Sequence, residues 1–351
     1  MRRGLISRSK AELPDAVLEA RIARLRAAMG AAGLDKLIVY TNNTRPAGVS
    51  WLTGFVPYWS EALLVVPMDD APVLVAALSH RVKGWIEATS RIGEVIHSPR
   101  IGFAAAGLIA ASKADAAVGI ADLEGLPAGI SDDLREGGPR LILSDATALF
   151  APLRGTADST EIALATKAAA IAQRALAQGS SRASLGEIIA AIEAQTRGEG
   201  AEEIYVAAAP DLKRDRRLRR IEGEAALGDT FAVRATVAYK GTWIRVLRTL
   251  TRDGSVIPEE AARARLATAV AKLPSEDDFA GFSSWLVEGC RIAQPLEPLI
   301  GSRVGTLHPL VPGALVSVQA SLEVDGAPLL IGAPALIGKD GEAASLLVQP
   351  F

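Results

Sequence analysis

"GDTFAVRATVAYKGTWIRVLRTLT", residues 228–251, sets two runs rich in β-branched and aromatic residues around Lys240-Gly241. Such runs flanking a two-residue turn predict a β-hairpin. With the turn at Lys240-Gly241, paired residues carry numbers that sum to 481, so Arg245 faces Thr236 and Arg234 faces Leu247. Side chains alternate faces along a strand, which puts Arg234 and Arg245 on one face as diagonal neighbours, their Cβ atoms at most ~7–8 Å apart. Arg248 faces Val233 and points the other way. Two carboxylates placed like Arg234 and Arg245 would clamp a pair of metal ions ~3.5–4 Å apart. Two guanidiniums cannot, because arginine has no acceptor and stays protonated. An ordinary solvated sheet face fits the same pattern.

The remaining bulk properties narrow the field. A chain of 351 residues predicts about two domains. Its 49% hydrophobic and 22% charged residues are ordinary for a globular protein and sufficient for a large core. A net charge of −2 gives no global attraction to nucleic acid or an anionic membrane. The single cysteine, Cys290, excludes an internal disulfide framework and a cysteine-rich metal cluster, and suits a reducing compartment. Three histidines, His80, His97 and His308, form no His-x-x-x-His pair, which restricts chemistry needing several imidazoles. The basic N-terminus lacks the apolar stretch of a secretory signal. Despite a mean hydropathy of +0.24, no apolar run approaches the ~18 residues needed to span a bilayer. The expectation is a soluble, cytoplasmic protein with no membrane partner.

Outward from the hairpin, two regions differ in pattern. Residues 15–29 place Leu18, Ile22, Leu25 and Met29 on one helical stripe. The runs "KLIVY", "EALLVVP", "APVLVAAL", "GEVIHSP" and "AAVGIAD" predict strands separated by turns or helical segments. That alternation predicts an α/β domain over residues 1–155, closed by 138–155, with "RGTADST" as linker. Residues 160–179 then predict a long helix, and Ser184 with Glu187 forms a capping box opening another. Strand-rich sequence follows, so residues 156–351 are expected to form an α+β domain.

Five segments, in order, resemble the creatinase, prolidase and aminopeptidase P family of pita-bread proteins. They are "RIARLRAAMGAAGLDKLIVYTNN" with "WLTGF", "LRGTADSTEIALATKAAAIA", the 228–251 hairpin, "LVPGALVSVQASL" and "LLIGAPALIGKDGE". The resemblance implies a creatinase-type α/β N-terminal domain followed by a pita-bread domain, here shortened between Thr251 and Cys290. It also implies a metal centre, and at each ligand position the chain departs from the family. The two hairpin aspartates fall on Arg234 and Arg245, and the two glutamates on Gln319 and Gly332. The ligand histidine falls near Gly289, ahead of "PLEP", a worn His-Glu-x-Pro that keeps Glu297 and Pro298. The substrate-binding histidine, which is catalytic in metal-free creatinase, falls on Arg217. No histidine lies between His97 and His308, so a shifted alignment does not restore it. The expectation is no metal and no cofactor.

By this resemblance Arg217, Arg234, Arg245 and Gln319 line the old cleft. Unpaired guanidiniums in a closed cavity cost several kcal/mol each. They must be paired internally, with Glu222, Glu224, Glu297 or Glu323 as partners, or solvated, or bound to a carboxylate or phosphate. The run "KRDRRLRR" at 213–220 fits a solvated or salt-bridged loop better than a nucleic-acid site, since no aromatics interleave and "RIEGE" follows. Cys290 lacks a neighbouring base, His308 fits a surface loop, His80 and His97 fit structural roles, and Trp51, Trp59, Trp243 and Trp285 fit the core.

Three functions remain open. One is a metal-free pseudoenzyme acting as a binding or regulatory subunit, as a homodimer (implied by the resemblance) or with an active paralogue. Another is a metal-independent, creatinase-like hydrolase that cleaves a C–N bond of a small anionic substrate. There the arginines would orient the substrate, and Glu297, Glu323 or Cys290 would supply the chemistry. The third, a nucleic-acid-binding module, is opposed by the net charge.

Overall fold

In the computed structural model, residues 9–57, 60–181, 184–221, 224–254, 257–290, 304–306 and 309–347 are described. The chain divides into two units, Met1–Gly155 and Thr156–Phe351.

The first unit is a mixed α/β layer. Helix α1 (Asp15–Ala31) buries Leu18, Ile22, Leu25 and Met29, the stripe expected from their spacing. Each such side chain contributes roughly 1.5–3 kcal/mol when removed from water. Strand β1 (Lys36–Asn42) is followed by helix α2 (Ala47–Thr53), which stops at Gly54 in a left-handed conformation. Then come β2 (Glu61–Pro67), β3 (Val73–Ala76), α3 (Lys83–Thr89), β4 (Glu94–His97), α4 (Ile101–Ser112), β5 (Ala117–Ala121), α5 (Ala128–Gly137), β6 (Ile142–Asp145) and α6 (Thr147–Leu153). The sheet order is β4-β3-β2-β1-β5-β6, with β1 antiparallel to β2 and parallel to β5. Trp51 and Phe150 meet edge to face inside its core. His97 holds the Leu78 carbonyl at 2.9 Å through Nδ1 and packs against the His80 ring, which fits a structural role.

The second unit begins with helix α7 (Ser159–Ala177), opened by a capping box in which Asp158 accepts from the Glu161 amide. Helix α8 (Leu185–Gly198) starts at Ser184, whose hydroxyl accepts from the Glu187 amide. Strand β7 (Glu203–Ala209) leads, through residues 210–229, to β8 (Thr230–Tyr239) and β9 (Thr242–Thr251). After α9 (Glu259–Ala271) come β10 (Ser284–Gly289), β11 (Val304–Thr306), β12 (Leu315–Val324), β13 (Ala327–Leu336) and β14 (Ser345–Leu346). The strands order as β11-β10-β12-β13-β9-β8-β7, with β14 on β13. Helix α9 interrupts the strands, so the helices do not all precede them as the sequence suggested. The periodicity of β7 and β10 is too short to announce either strand alone.

Hairpin register follows the sum of 481: Arg234 pairs with Leu247 and Arg245 with Thr236. Lys240 and Gly241 both have positive φ, 49° and 77°, as the tightest hairpin turns require. Both faces of the sheet are covered. On one, Phe231, Val233, Ile244 and Val246 pack with residues of α7 and α8, and Val316, Val318 and Ile331 with residues of α9. Arg248 lies on that side and pairs with Glu259 at 3.1 Å. The opposite face carries the polar residues considered next, and there Leu212 and Leu218 of the 210–229 segment pack against Ala232, Leu247 and Leu330. Among the described residues, no helix is long and apolar enough to cross a membrane.

Candidate functional site

Five strands bring together on that second face the positions that the family resemblance assigns to metal ligands. Strand β8 supplies Arg234, β9 supplies Arg245, β12 supplies Gln319 and β13 supplies Gly332, which pairs with both Gln319 and Leu247. Strand β10 supplies the fifth, and here the sequence reading is corrected by one residue. The side chain that reaches the cluster is Glu288, not that of a residue at Gly289. Period-2 alternation explains the choice: Glu288 pairs with Ser317 and so shares a face with Gln319, two residues on.

The polar groups form a chain. Arg234 Nη1 donates to Gln319 Oε1 at 2.9 Å, and Gln319 Nε2 donates to Glu288 Oε1 at 3.1 Å. Arg245 Nε lies 3.6 Å from the same Glu288 oxygen. All four side chains are buried, with Arg234 and Glu288 3% exposed and Arg245 and Gln319 1%. The orientation of the amide is forced, because a guanidinium only donates and a carboxylate only accepts. Glutamine bridges the two where glutamate could not. Ser317 and Ser321 flank Gln319 on the same face, and their buried hydroxyls have no hydrogen-bond partner among the described residues.

Gly332 completes the packing. A Cβ there would lie 2.7 Å from the Val318 carbonyl oxygen and 3.2 Å from the Cα and Cγ of Gln319. The backbone of β13 therefore approaches β12 closely at the position where the family resemblance implies a glutamate.

The other sequence candidates separate from this cluster. Arg217 does not converge on it: its guanidinium is 62% exposed and lies 2.9 Å from Asp215. Asp215 is held at a pKa of about 2, chiefly by hydrogen bonds from the Arg217 side chain and amide. Glu323 is no partner of the buried arginines, since it is exposed at the end of β12 and takes Arg216 at 2.6 Å. Glu224 is exposed beside Gly186. Cys290 is 1% exposed within the apolar cluster formed with α7 and α8, a packed thiol rather than a nucleophile facing a cleft. Glu222, Glu297, His308 and Trp59 lie outside the described residues. Trp51, Trp243 and Trp285 are buried. Glu288 was absent from the sequence candidates, and its only signal was a lone acid in the apolar run "SSWLVEG", two residues before Cys290.

A di-metal centre does not fit these residues. Two of its positions hold buried guanidiniums engaged with an amide and a carboxylate, and a third has no side chain. Among the described residues, no group of three or more His, Cys, Asp or Glu could hold a metal ion.

Residues 21–155 match the Creatinase/Prolidase N-terminal domain family. The first unit thus carries a creatinase/prolidase-type N-terminal domain. Solved structures of the pita-bread fold cover nearly all of the chain. The pita-bread chain is 18% identical to a prolidase from Thermococcus sibiricus, with a TM-score of 0.69 over 95% of this chain and 97% of that one. An X-Pro aminopeptidase from Thermotoga maritima gives 0.67 at 14% identity, over 93% and 97%. A prolidase from Pyrococcus horikoshii gives 0.66 at 14%, over 93% and 97%. At these identities the likeness establishes the pita-bread fold. No curated protein sequence matches the chain.

Proposed function

We propose that this protein is a Xaa-Pro peptidase-like pseudoenzyme: a pita-bread protein without metallohydrolase chemistry that serves as a binding or regulatory subunit. One observation carries the reading. The Arg234–Gln319–Glu288–Arg245 chain fills the face of the sheet where the family resemblance implies metal ligands, and gives each arginine an internal acceptor, Gln319 for Arg234 and Glu288 for Arg245. Breaking a buried pair by removing one partner typically costs ~3–5 kcal/mol, so a cation could displace these arginines only at similar expense. The subunit would pair with itself or with an active paralogue.

The metal-independent hydrolase finds less support. Its orienting arginines are already engaged with Gln319 and Glu288, Arg217 stands apart on Asp215, and Cys290 is enclosed in apolar packing.

Elemental analysis after incubation with Mn²⁺, Co²⁺ and Zn²⁺, combined with hydrolysis assays on Xaa-Pro dipeptides, tests the proposal. The expected result is no tightly held metal and no turnover above buffer. Two equivalents of retained metal with dipeptide hydrolysis would overturn it.

A further inference from the structure

The basic run at 213–220 has a second aspect. Five of its six cations meet four carboxylates: Lys213 pairs with Asp229, Arg214 with Asp211, Arg216 with Glu323, and both Arg217 and Arg219 with Asp215. The sixth, Arg220, is exposed and has no ion pair or hydrogen bond among the described residues. The segment thus carries more positive charge than its partners neutralise, in a chain whose net charge is −2.

This excess borders a groove of 590 Å³, within the range that takes small molecules or short peptide ends. Arg214, Arg219 and Arg220 line it, with Asp211 anchoring Arg214 and Asp215 anchoring Arg219. Its remaining wall is apolar, formed by Pro210, Ile221, Ala225, Ala226 and Leu227. Backbone bonds fix the scaffold: the Gly228 amide donates to the Pro210 carbonyl, and Ala208 and Arg219 exchange two amide bonds at 2.8 and 2.9 Å. Gly228 is held bare, since a Cβ would lie 2.6 Å from Asp211 Cγ. Guanidiniums suit planar oxyanions, and an adjacent aliphatic wall suits an aliphatic neighbour of that oxyanion.

We infer that this groove binds a carboxylate flanked by an aliphatic group, as presented by an N-acylated amino acid or by a peptide ending in a branched residue. Arg220 supplies the main charge, Arg214 and Arg219 widen the donor surface, and Ile221 and Leu227 receive the side chain. The groove is separate from the buried network, so either reading can fail while the other stands.

Amide chemical-shift titration of the full chain with N-acetyl-leucine tests it, using N-acetyl-leucinamide and inorganic phosphate as comparison probes. The expected result is saturable shifts confined to residues around 210–228 with N-acetyl-leucine, and none with the uncharged amide. Arg220→Gln, an exposed substitution, should weaken binding about tenfold, the loss of a charge-assisted hydrogen bond. Arg214→Gln, also highly exposed, should weaken it less and serves as a second variant. A decapeptide ending in leucine that binds more tightly than N-acetyl-leucine would identify a peptide terminus as the ligand. Equal or weaker binding would identify the small acid. Absence of saturable shifts, equal shifts with the amide or with phosphate, or unchanged binding in Arg220→Gln would overturn the inference.

Discussion

Arg245 Nε lies 3.6 Å from Glu288 Oε1, with 1% and 3% of the two side chains exposed. Glu288 also accepts from Gln319, and so touches both arms of the buried network. Replacing it with alanine leaves Arg234 and Arg245 on the face without this carboxylate. Glu288→Ala should therefore lower stability by about 3–5 kcal/mol in chemical denaturation, and adding Arg245→Met should recover much of that loss.

The amide of Gln319 has a donor toward Glu288 and an acceptor toward Arg234. Gln319→Glu keeps the acceptor but sets a second carboxylate against Glu288. It should cost about 1–3 kcal/mol at neutral pH despite reducing the net positive charge, and the loss should shrink under acid as the carboxylate pair takes up a proton. Denaturation midpoints at two pH values check this, and metal retention should stay absent.

At Gly332 the obstacle is backbone. A Cβ would press on the Val318 carbonyl at 2.7 Å, and that atom cannot swing aside like a side-chain tip. Gly332→Ala should cost about 1–3 kcal/mol, comparable to overpacking a core, as measured by thermal or urea unfolding. Restoring a glutamate here would meet the same obstacle.

A second buried acid sets a pH dependence. Glu202 accepts from the amides of Lys240 at 2.8 Å and of Gly241, bracing the hairpin turn. Burial, the largest influence, raises its pKa above the ordinary 4.5, although the two amides oppose this. The folded state therefore keeps this proton to a higher pH than the unfolded chain does. The corresponding stability is fully present below 4.5 and is lost as pH rises through the raised folded value. Glu202→Gln should flatten the decline in unfolding free energy as pH rises above 4.5.

Asp215 has the opposite sign. Its pKa is depressed to about 2 from 3.8, so its contribution is present above 3.8 and is lost as pH falls through about 2. Asp215→Asn should reduce acid sensitivity in that window, seen as smaller changes in the amide spectrum of the 210–228 segment on acidification.

Much of this fold could be read along the chain. The stripe of Leu18 through Met29, the Ser184 cap and the 228–251 register each depend on residues only a few positions apart. A turn at Lys240-Gly241 leaves no freedom about which residues oppose one another, so the shared face of Arg234 and Arg245 was determined locally. What answers those arginines was not. Glu288 lies 43 positions beyond Arg245 and reaches it only because β10 pairs with β12, β12 with β13, and β13 with β9. Arg217 does not join them, for the complementary reason: it is engaged by Asp215, two residues away. The order of residues alone puts positive charge where the family resemblance implies metal ligands. That this charge is buried and meets Gln319 and Glu288 emerges only on folding, because strand order across a sheet is set by packing between distant segments rather than by any local turn.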